Sequence, residues 1–86
     1  MRVQAEISLY LLRTQHLSEP IERFVETLRQ HDVRVSMGAM STCVQGGNAA
    51  VFAALEEAFA QIAEEHQAAL IVKLSNACPT GGDNGR

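Results

Sequence analysis

Residues 2–12 read RVQAEISLYLL, and apolar residues occupy every odd position of this stretch. The even positions up to residue 10 carry polar or amphipathic side chains. A period of two is typical of a β-strand, because successive side chains point to opposite faces of a sheet. We therefore predict a first strand that buries its odd residues and directs Gln4, Glu6, Ser8 and Tyr10 to the other face.

A helix and two strands are predicted next. Ser18 is a typical N-cap, and Pro20 is tolerated in the first turn of a helix. Helical spacing then continues to about His31 in the apolar residues Ile21, Phe24, Val25 and Leu28. Alternation predicts a second strand over 33–37 and a third over 40–45, with a turn or bulge at Gly38. These two strands are close enough along the chain to form a hairpin.

A second helix and a fourth strand complete the series. The run Gly46-Gly47-Asn48 ends the third strand and begins a helix that His66 ends. The predicted buried stripe of this helix consists of Val51, Phe52, Leu55, Phe59, Ile62 and Ala63. Residues 68–77 form the fourth predicted strand, which Pro79 stops. The polar, glycine-rich residues 80–86 are predicted to be a flexible tail.

The order β-α-β-β-α-β predicts an α+β fold of the ferredoxin-like type. With right-handed crossovers around the central hairpin, the four strands form an antiparallel sheet in the order 4-1-3-2, and both helices cover one face. At 86 residues the chain is long enough for a single domain, which we assign to residues 1–79. A domain this small buries a limited share of its surface and has a thin margin of stability, so it gains from association with other copies of itself.

Composition excludes several classes of function. The net charge is -3 and the seven basic residues are scattered, which argues against nucleic-acid binding. No apolar run approaches the roughly 20 residues that cross a bilayer, and the N-terminus does not resemble a signal peptide, so we expect a cytoplasmic protein without membrane contact. Cys43 and Cys78 lack the spacing of a metal or disulfide motif, and we expect reduced structural thiols and no metal site.

Lys73 is the only lysine of the chain, and it lies inside the most apolar predicted strand. In the predicted sheet the first and last strands are neighbours, so Glu6 and Lys73 fall side by side on the face that carries no helix. Spacing alone allows an ordinary cross-strand ion pair that contributes about 0.2–1 kcal/mol. It also allows a small polar binding surface centred on the two charges.

Three segments resemble a known family. They are Glu6-Ile7-Ser8-Leu9-Tyr10, then Met40-Ser41-Thr42 with Gly46 shortly after, and Lys73-Leu74-Ser75-Asn76-Ala77-Cys78-Pro79. In order and separation they are similar to the short thiamine-binding protein family that includes the YkoF-like domains. The resemblance spans residues 3–79 and is most specific around Lys73. The sequence departs from the family's first-strand ending, where a proline and a glycine are common near the positions of Leu11 and Arg13.

The resemblance implies a ferredoxin-like domain that assembles into homodimers or homotetramers and binds thiamine or its hydroxymethylpyrimidine moiety without transforming it. Thiamine would then be a ligand rather than a cofactor. The chemistry of thiamine suggests roles for individual side chains. Glu6 suits the thiazolium cation or the amino group, Tyr10 can stack on a ring, and Lys73 can hold Glu6 ionised or meet an acceptor on the ligand. Small donors and acceptors come from Ser8, Thr42, Ser75 and Asn76.

Two other functions compete with ligand binding. The polar sheet face can be a plain subunit interface in a structural oligomer that has no small-molecule ligand. Alternatively, Glu6 or Lys73 can serve an enzyme as general acid or base, because an apolar setting lowers the pKa of a lysine. No nucleophile, metal constellation or cofactor loop accompanies the pair in sequence, so we expect a protein that is not an enzyme.

Overall fold

The structure is a computed structural model that describes residues 1–39 and 41–77. Met40, Cys78, Pro79 and the predicted tail at 80–86 lie outside the described residues. The elements follow the predicted order and comprise β1 (Arg2–Leu12), α1 (Ser18–Arg29), β2 (Val33–Met37), β3 (Thr42–Gly47), α2 (Asn48–Glu65) and β4 (Gln67–Ser75).

The sheet confirms the ferredoxin-like prediction. Its four strands lie in the order β2-β3-β1-β4, and each neighbouring pair is antiparallel. Strand β1 is central, with β3 on one side and β4 on the other. The register places Glu6 directly opposite Lys73 on β4 and opposite Cys43 on β3. The first and last strands are therefore neighbours, as the sequence indicated.

Both helices pack on one face of this sheet and enclose an aliphatic core. The odd residues of β1 face this core, and Val3, Ala5 and Ile7 are buried there. Phe24, Val25 and Leu28 from α1 pack with them, as do five residues of α2, which are Val51, Ala54, Leu55, Ala58 and Ile62. The even residues of β1 consequently lie on a face that neither helix covers.

The predicted stripe of α2 is partly wrong. Phe52 is 52% exposed and Ala63 also faces solvent, whereas Ala54 and Ala58 are fully buried. The apolar residues of this helix occupy most of its circumference, so more than one face has apolar residues at helical spacing. The spacing alone therefore cannot identify the buried face. The observed face puts small alanines against the sheet and against α1, where they allow the backbones to approach closely.

The start of α1 also differs from the prediction. Leu17 occupies the N-cap position, no side chain caps the helix, and Ser18 is the first helical residue. The carbonyl of Leu17 accepts the first helical hydrogen bond, from the N–H of Ile21. The helix ends at Arg29, two residues before His31, where the sequence predicted its end. Nε2 of His31 lies 2.7 Å from Oε1 of Glu57 on α2.

Strand β4 is an edge strand that the helices cover incompletely. The register confirms that Leu70, Val72 and Leu74 have the parity of the helix-covered face. Val72 and Leu74 are nevertheless each 39% exposed, and Ile71 on the other face is 59% exposed. The second half of β4 therefore presents apolar side chains to solvent on both faces.

Candidate functional site

The helix-free face of the sheet is a polar surface centred on Glu6. Pairing across the strands produces one row that runs Ser36, Cys43, Glu6 and Lys73, and a parallel row that runs Arg34, Gln45, Gln4 and Ser75. Within the second row, Nε2 of Gln45 donates to Oε1 of Gln4 at 3.0 Å. We call this set of outward-facing residues the open sheet face.

The carboxylate of Glu6 has two polar neighbours. Nζ of Lys73 lies 3.9 Å from Oε1, and Oγ of Ser41 donates a hydrogen bond to Oε2 at 3.1 Å. The side chains of Lys73 and Glu6 are 83% and 48% exposed, respectively. A long, solvent-exposed contact of this kind contributes little to stability. Glu6 is thus an accessible anion held in position from one side by Ser41.

Ser8 and Tyr10 continue the open sheet face along β1. Ser8 is half-buried and lies opposite Ile71 of β4, whereas Tyr10 is exposed and lies opposite Ala69. Both residues also line a cavity that begins beside them. The phenol of Tyr10 is therefore free to contact a molecule on this part of the surface.

Ser75 and Asn76 lie at the other end of the face. Ser75 is opposite Gln4, its Oγ accepts a hydrogen bond from the N–H of Ala77 at 2.9 Å, and Asn76 follows in an exposed bend. Tyr10 and Gln4 are six residues apart on β1, which corresponds to roughly 20 Å along a strand. One molecule the size of thiamine cannot contact both Tyr10 and Ser75 of the same chain.

Thr42 lies on the opposite side of the sheet from Glu6. It pairs with Ile7, and its neighbour Val44 on the same face of β3 is fully buried in the core. Directly paired residues point to the same face, so the side chain of Thr42 is directed towards the helices. There it lines the cavity, together with Ile7 and Phe24. Thr42 therefore lines the cavity from the helix side, and Glu6 is not among the residues that line it.

Sequence reasoning missed Ser41 and Cys43 as neighbours of Glu6. Ser41 precedes β3 and bonds Glu6 across 35 positions of sequence, and Cys43 is half-buried directly opposite Glu6. The third strand was predicted to begin at residue 40, and it begins at Thr42. Only the register of β3 against β1 shows that these two side chains lie beside Glu6. Alternation over so short a strand does not predict a register.

The sequence matches the YkoF-related family over residues 2–81. This chain belongs to the YkoF-related family. The match covers nearly the whole chain and includes the three segments on which the resemblance was based. A comparison of the YkoF-related chain with curated proteins gives no match.

Solved structures with the same fold come from several organisms. A hypothetical protein from Methanocaldococcus jannascii aligns with a TM-score of 0.81 and 22% identity, over 90% of this chain and 81% of that one. A Thermotoga maritima protein provisionally assigned to thiamine biosynthesis or salvage aligns with a TM-score of 0.76 and 17% identity, over 86% and 82% of the two chains. A domain of unknown function, DUF77, from Bacillus cereus gives 0.75 and 18%, over 87% and 75%. At these identities the likeness establishes a shared fold.

Two further properties of the YkoF-related chain bear on its chemistry. Among residues 1–39 and 41–77, no group of three or more histidine, cysteine, aspartate or glutamate side chains is arranged to hold a metal ion. No helix in this part of the chain is long and apolar enough to cross a bilayer.

Proposed function

We propose that this protein binds thiamine or its hydroxymethylpyrimidine moiety without transforming it. Membership of the YkoF-related family supports a thiamine-related role, and one protein of the same fold is provisionally assigned to thiamine biosynthesis or salvage. The observation that carries the proposal is the position of the Glu6 carboxylate, which is accessible and accepts a hydrogen bond from Ser41, a residue that also lines a cavity.

The chemistry of Glu6 matches the ligand at two points. The thiazolium of thiamine carries a fixed positive charge but no N–H, so a carboxylate attracts it electrostatically. The aminopyrimidine carries an amino group, which can donate a hydrogen bond to the same carboxylate. A hydrogen bond to a charged group contributes about 1.5–3 kcal/mol. We assign to Glu6 the largest polar contribution to binding, and to Tyr10 and Ser8 contacts with the ring.

Lys73 has a lesser role in this proposal. Its side chain is 83% exposed, and its Nζ lies 3.9 Å from Oε1 of Glu6. An exposed cation at this distance shields Glu6 only weakly, and salt screens the interaction further. The enzyme alternative offered Glu6 or Lys73 as general acid or base and relied on an apolar setting for Lys73, whose side chain lies in solvent instead. Binding without catalysis therefore agrees better with the geometry.

We further propose that the protein acts as a homodimer or homotetramer. Strand β4 extends over nine residues, and among the described residues only β1 pairs with it. Soluble proteins usually protect such an edge with charges, prolines or bulges. In β4 the charge of Lys73 is the one such feature. A second copy can pair its own β4 with this edge in an antiparallel, symmetric arrangement. The cytoplasmic location expected from the sequence stays a prediction.

Calorimetric titration of the protein with thiamine and with hydroxymethylpyrimidine tests the proposed binding. Replacing Glu6 with Gln should weaken thiamine binding about tenfold or more, which corresponds to about 1.4 kcal/mol or more. Lys73→Met should change the affinity by less than Glu6→Gln does. Glu56→Gln on the exposed face of α2 is the matched control and should leave the affinity unchanged.

One result of this titration would contradict the proposal. If neither ligand at millimolar concentration gives heat or raises the unfolding temperature of the unaltered protein, it does not bind thiamine or hydroxymethylpyrimidine.

A further inference from the structure

The outer edge of β4 leaves apolar side chains uncovered. Within the described part of the chain, β4 is the last strand of the sheet and no strand pairs with its outer side. On the helix side of β4, the alternate residues Ala68, Leu70, Val72 and Leu74 are all apolar, and the last two are exposed. An edge of this composition is a template on which another chain can add a strand.

Phe52 of α2 lies at the same height as the exposed half of β4. The chain passes from α2 to β4 through His66 alone, and the two elements contact each other as they run back alongside one another. Phe52 lies 13 residues before Glu65, or roughly 20 Å along the helix. Val72 lies five residues after Gln67, or roughly 17 Å along the strand. The exposed phenylalanine is therefore level with the exposed valine.

Phe52 also lies on the flank of α2 that faces away from α1. The opposite flank contacts α1, where Gln61 and Glu65 form hydrogen bonds with side chains of that helix. Gln61 follows Phe52 by nine residues, a rotation of roughly 180° around the helix. Because α1 packs beside β2 and α2 contacts β4 at the other end of the sheet, the flank with Phe52 overhangs the outer edge of β4. The half-buried Phe59 lies two turns further along this flank.

Together the two elements form a continuous apolar surface with little charge. We call it the α2–β4 surface, and it consists of Phe52, Phe59, Leu70, Val72 and Leu74. Glu56, one turn after Phe52, is the charged residue on this flank and lies at its rim. Monomeric proteins rarely leave a contiguous surface of this kind uncovered.

The size of the α2–β4 surface suits a specific interface. A helix of 18 residues and a strand of nine residues are each roughly 30 Å long. With a strand edge and a helix flank stacked to a height of roughly 15–20 Å, the surface measures roughly 500 Å² on each copy. Two copies would bury roughly 1,000 Å² in total, which reaches the lower bound for a specific protein interface.

We infer that the α2–β4 surface binds a second copy of this chain, so that α2 packs beside α2 of the second copy while the two β4 edges pair. This inference rests on the homo-oligomer in the proposed function and adds a helix contact to the pairing of strands. A two-fold axis perpendicular to the sheet matches each layer with itself, strand edge with strand edge and apolar flank with apolar flank. An unrelated extended peptide would cover the strand edge and leave Phe52 exposed.

The spacing of the two helices explains why the flank carries phenylalanine. Paired strands lie roughly 5 Å apart, and α2 contacts both β1 and β4. The two copies of α2 would then lie roughly 10–14 Å apart across the axis. Closely packed helices lie about 8–10 Å apart, so the facing flanks need large apolar side chains to fill the space. Phe52 and Phe59 supply them.

This arrangement keeps assembly separate from the Glu6 carboxylate. The two sheets join into one, and both open sheet faces lie on the same side of it, away from the paired helices. Substitution of Phe52 should therefore change the mass of the assembly and leave the affinity for thiamine unchanged.

Phe52→Gln tests the helix contact. In sedimentation equilibrium over a range of protein concentrations, this variant should dissociate with a constant at least tenfold larger than that of the unaltered protein, because it removes buried apolar surface from both copies. Its circular dichroism spectrum should be unchanged, since Phe52 is more exposed than buried. Met37→Gln is the matched control, because Met37 is an exposed apolar residue on β2 at the opposite edge of the sheet. It should alter the constant less than twofold.

Hydrogen exchange gives a second measurement, on the unaltered protein. Amides of residues 68–74 should exchange at least tenfold more slowly at a concentration where the protein is assembled than at one where it is dissociated. Amides of β2 at the opposite edge should show a smaller change.

The outcomes separate this inference from the proposed function. If the unaltered protein assembles while Phe52→Gln dissociates no more readily and residues 68–74 gain no protection, the second copy binds elsewhere and the inferred interface is wrong. Dissociation of Met37→Gln in place of Phe52→Gln would identify the β2 edge as the interface. A mass of one chain at every concentration would overturn the proposed homo-oligomer as well and leave the α2–β4 surface to a different protein. Ligand binding is judged apart from these results, by the titration with thiamine.

Discussion

Arg13 adopts a backbone conformation that suits glycine. Its φ is 59°, and it is the only non-glycine residue with positive φ in the described part of the chain. The left-handed region brings Cβ close to the backbone, which costs roughly 1–2 kcal/mol for an ordinary residue. The family resemblance indicates a glycine near this position, so Arg13 is both a departure from the family pattern and a source of local strain.

We expect Arg13→Gly to stabilise the protein by about 0.5–1 kcal/mol, because glycine removes the strain but gives the unfolded chain more freedom. Urea unfolding at equilibrium measures this difference. Gln15→Gly, in the same loop at a residue without positive φ, is the control and should be neutral or destabilising. An Arg13→Gly protein less stable than the original would mean that the arginine side chain makes a stabilising contact stronger than the strain.

At the scale of elements, polar contacts connect the two helices above the core. The buried hydroxyl of Thr27 lies 2.9 Å from Oε1 of Gln61, and Nη2 of Arg23 donates to Oε1 of Glu65 at 2.8 Å. The hydrogen bond from Arg23, with the attraction of its charge, lowers the pKa of Glu65 below the ordinary value of 4.5. The small stabilisation that this exposed pair adds between α1 and α2 therefore depends on pH.

The sign of that dependence follows from the lowered pKa. A carboxyl group whose pKa falls on folding contributes its full stabilisation above the ordinary value and loses it as the pH falls through the lowered pKa. We expect Glu65→Gln to lower the unfolding temperature slightly near pH 7 and to match the unaltered protein once the pH falls below the lowered pKa of Glu65. Thermal unfolding across this range measures the convergence.

Glu64→Gln is the matched control for the pH experiment, since the described residues show no ion pair for Glu64. Its effect should not depend on pH in the same way. A constant difference between Glu65→Gln and the original protein from neutral to acid pH would show that the Arg23 to Glu65 contact does not couple to folding.

The elements also show how far sequence patterns reach. The alternation in β1 and β2 predicted the observed bounds of both strands, because each strand packs one face on the core and leaves the other face open. The beginning of β3 could not be predicted, since Gly38 and the hairpin end interrupt the period. The register of β3 against β1, and not this boundary, puts Thr42 on the helix side, opposite Ile7. Glu6 and Lys73 were predicted to be neighbours, whereas the contact of Ser41 with Glu6 depends on where β3 begins.

At the scale of the whole molecule, two uncovered surfaces are candidates for the interface between copies of the chain. The open sheet face is polar and carries Glu6 and Lys73. The edge of β4 is apolar on both faces, with Ile71, Val72 and Leu74 exposed. If the protein were a structural subunit without a ligand, the polar face would be its interface. If it binds a small molecule there, the β4 edge is the better place for a second copy.

Substitutions on the two surfaces distinguish these arrangements. We expect light scattering of the unaltered protein to give the mass of two or four chains. Val72→Lys puts a charge beside the β4 edge on the helix side, away from the open sheet face, and should reduce the assembly at least twofold in mass while the chain stays folded. Glu6→Gln and Lys73→Met should leave the mass unchanged and alter only ligand affinity. The opposite pattern, with assembly lost in Glu6→Gln or Lys73→Met and kept in Val72→Lys, would identify the open sheet face as the subunit interface.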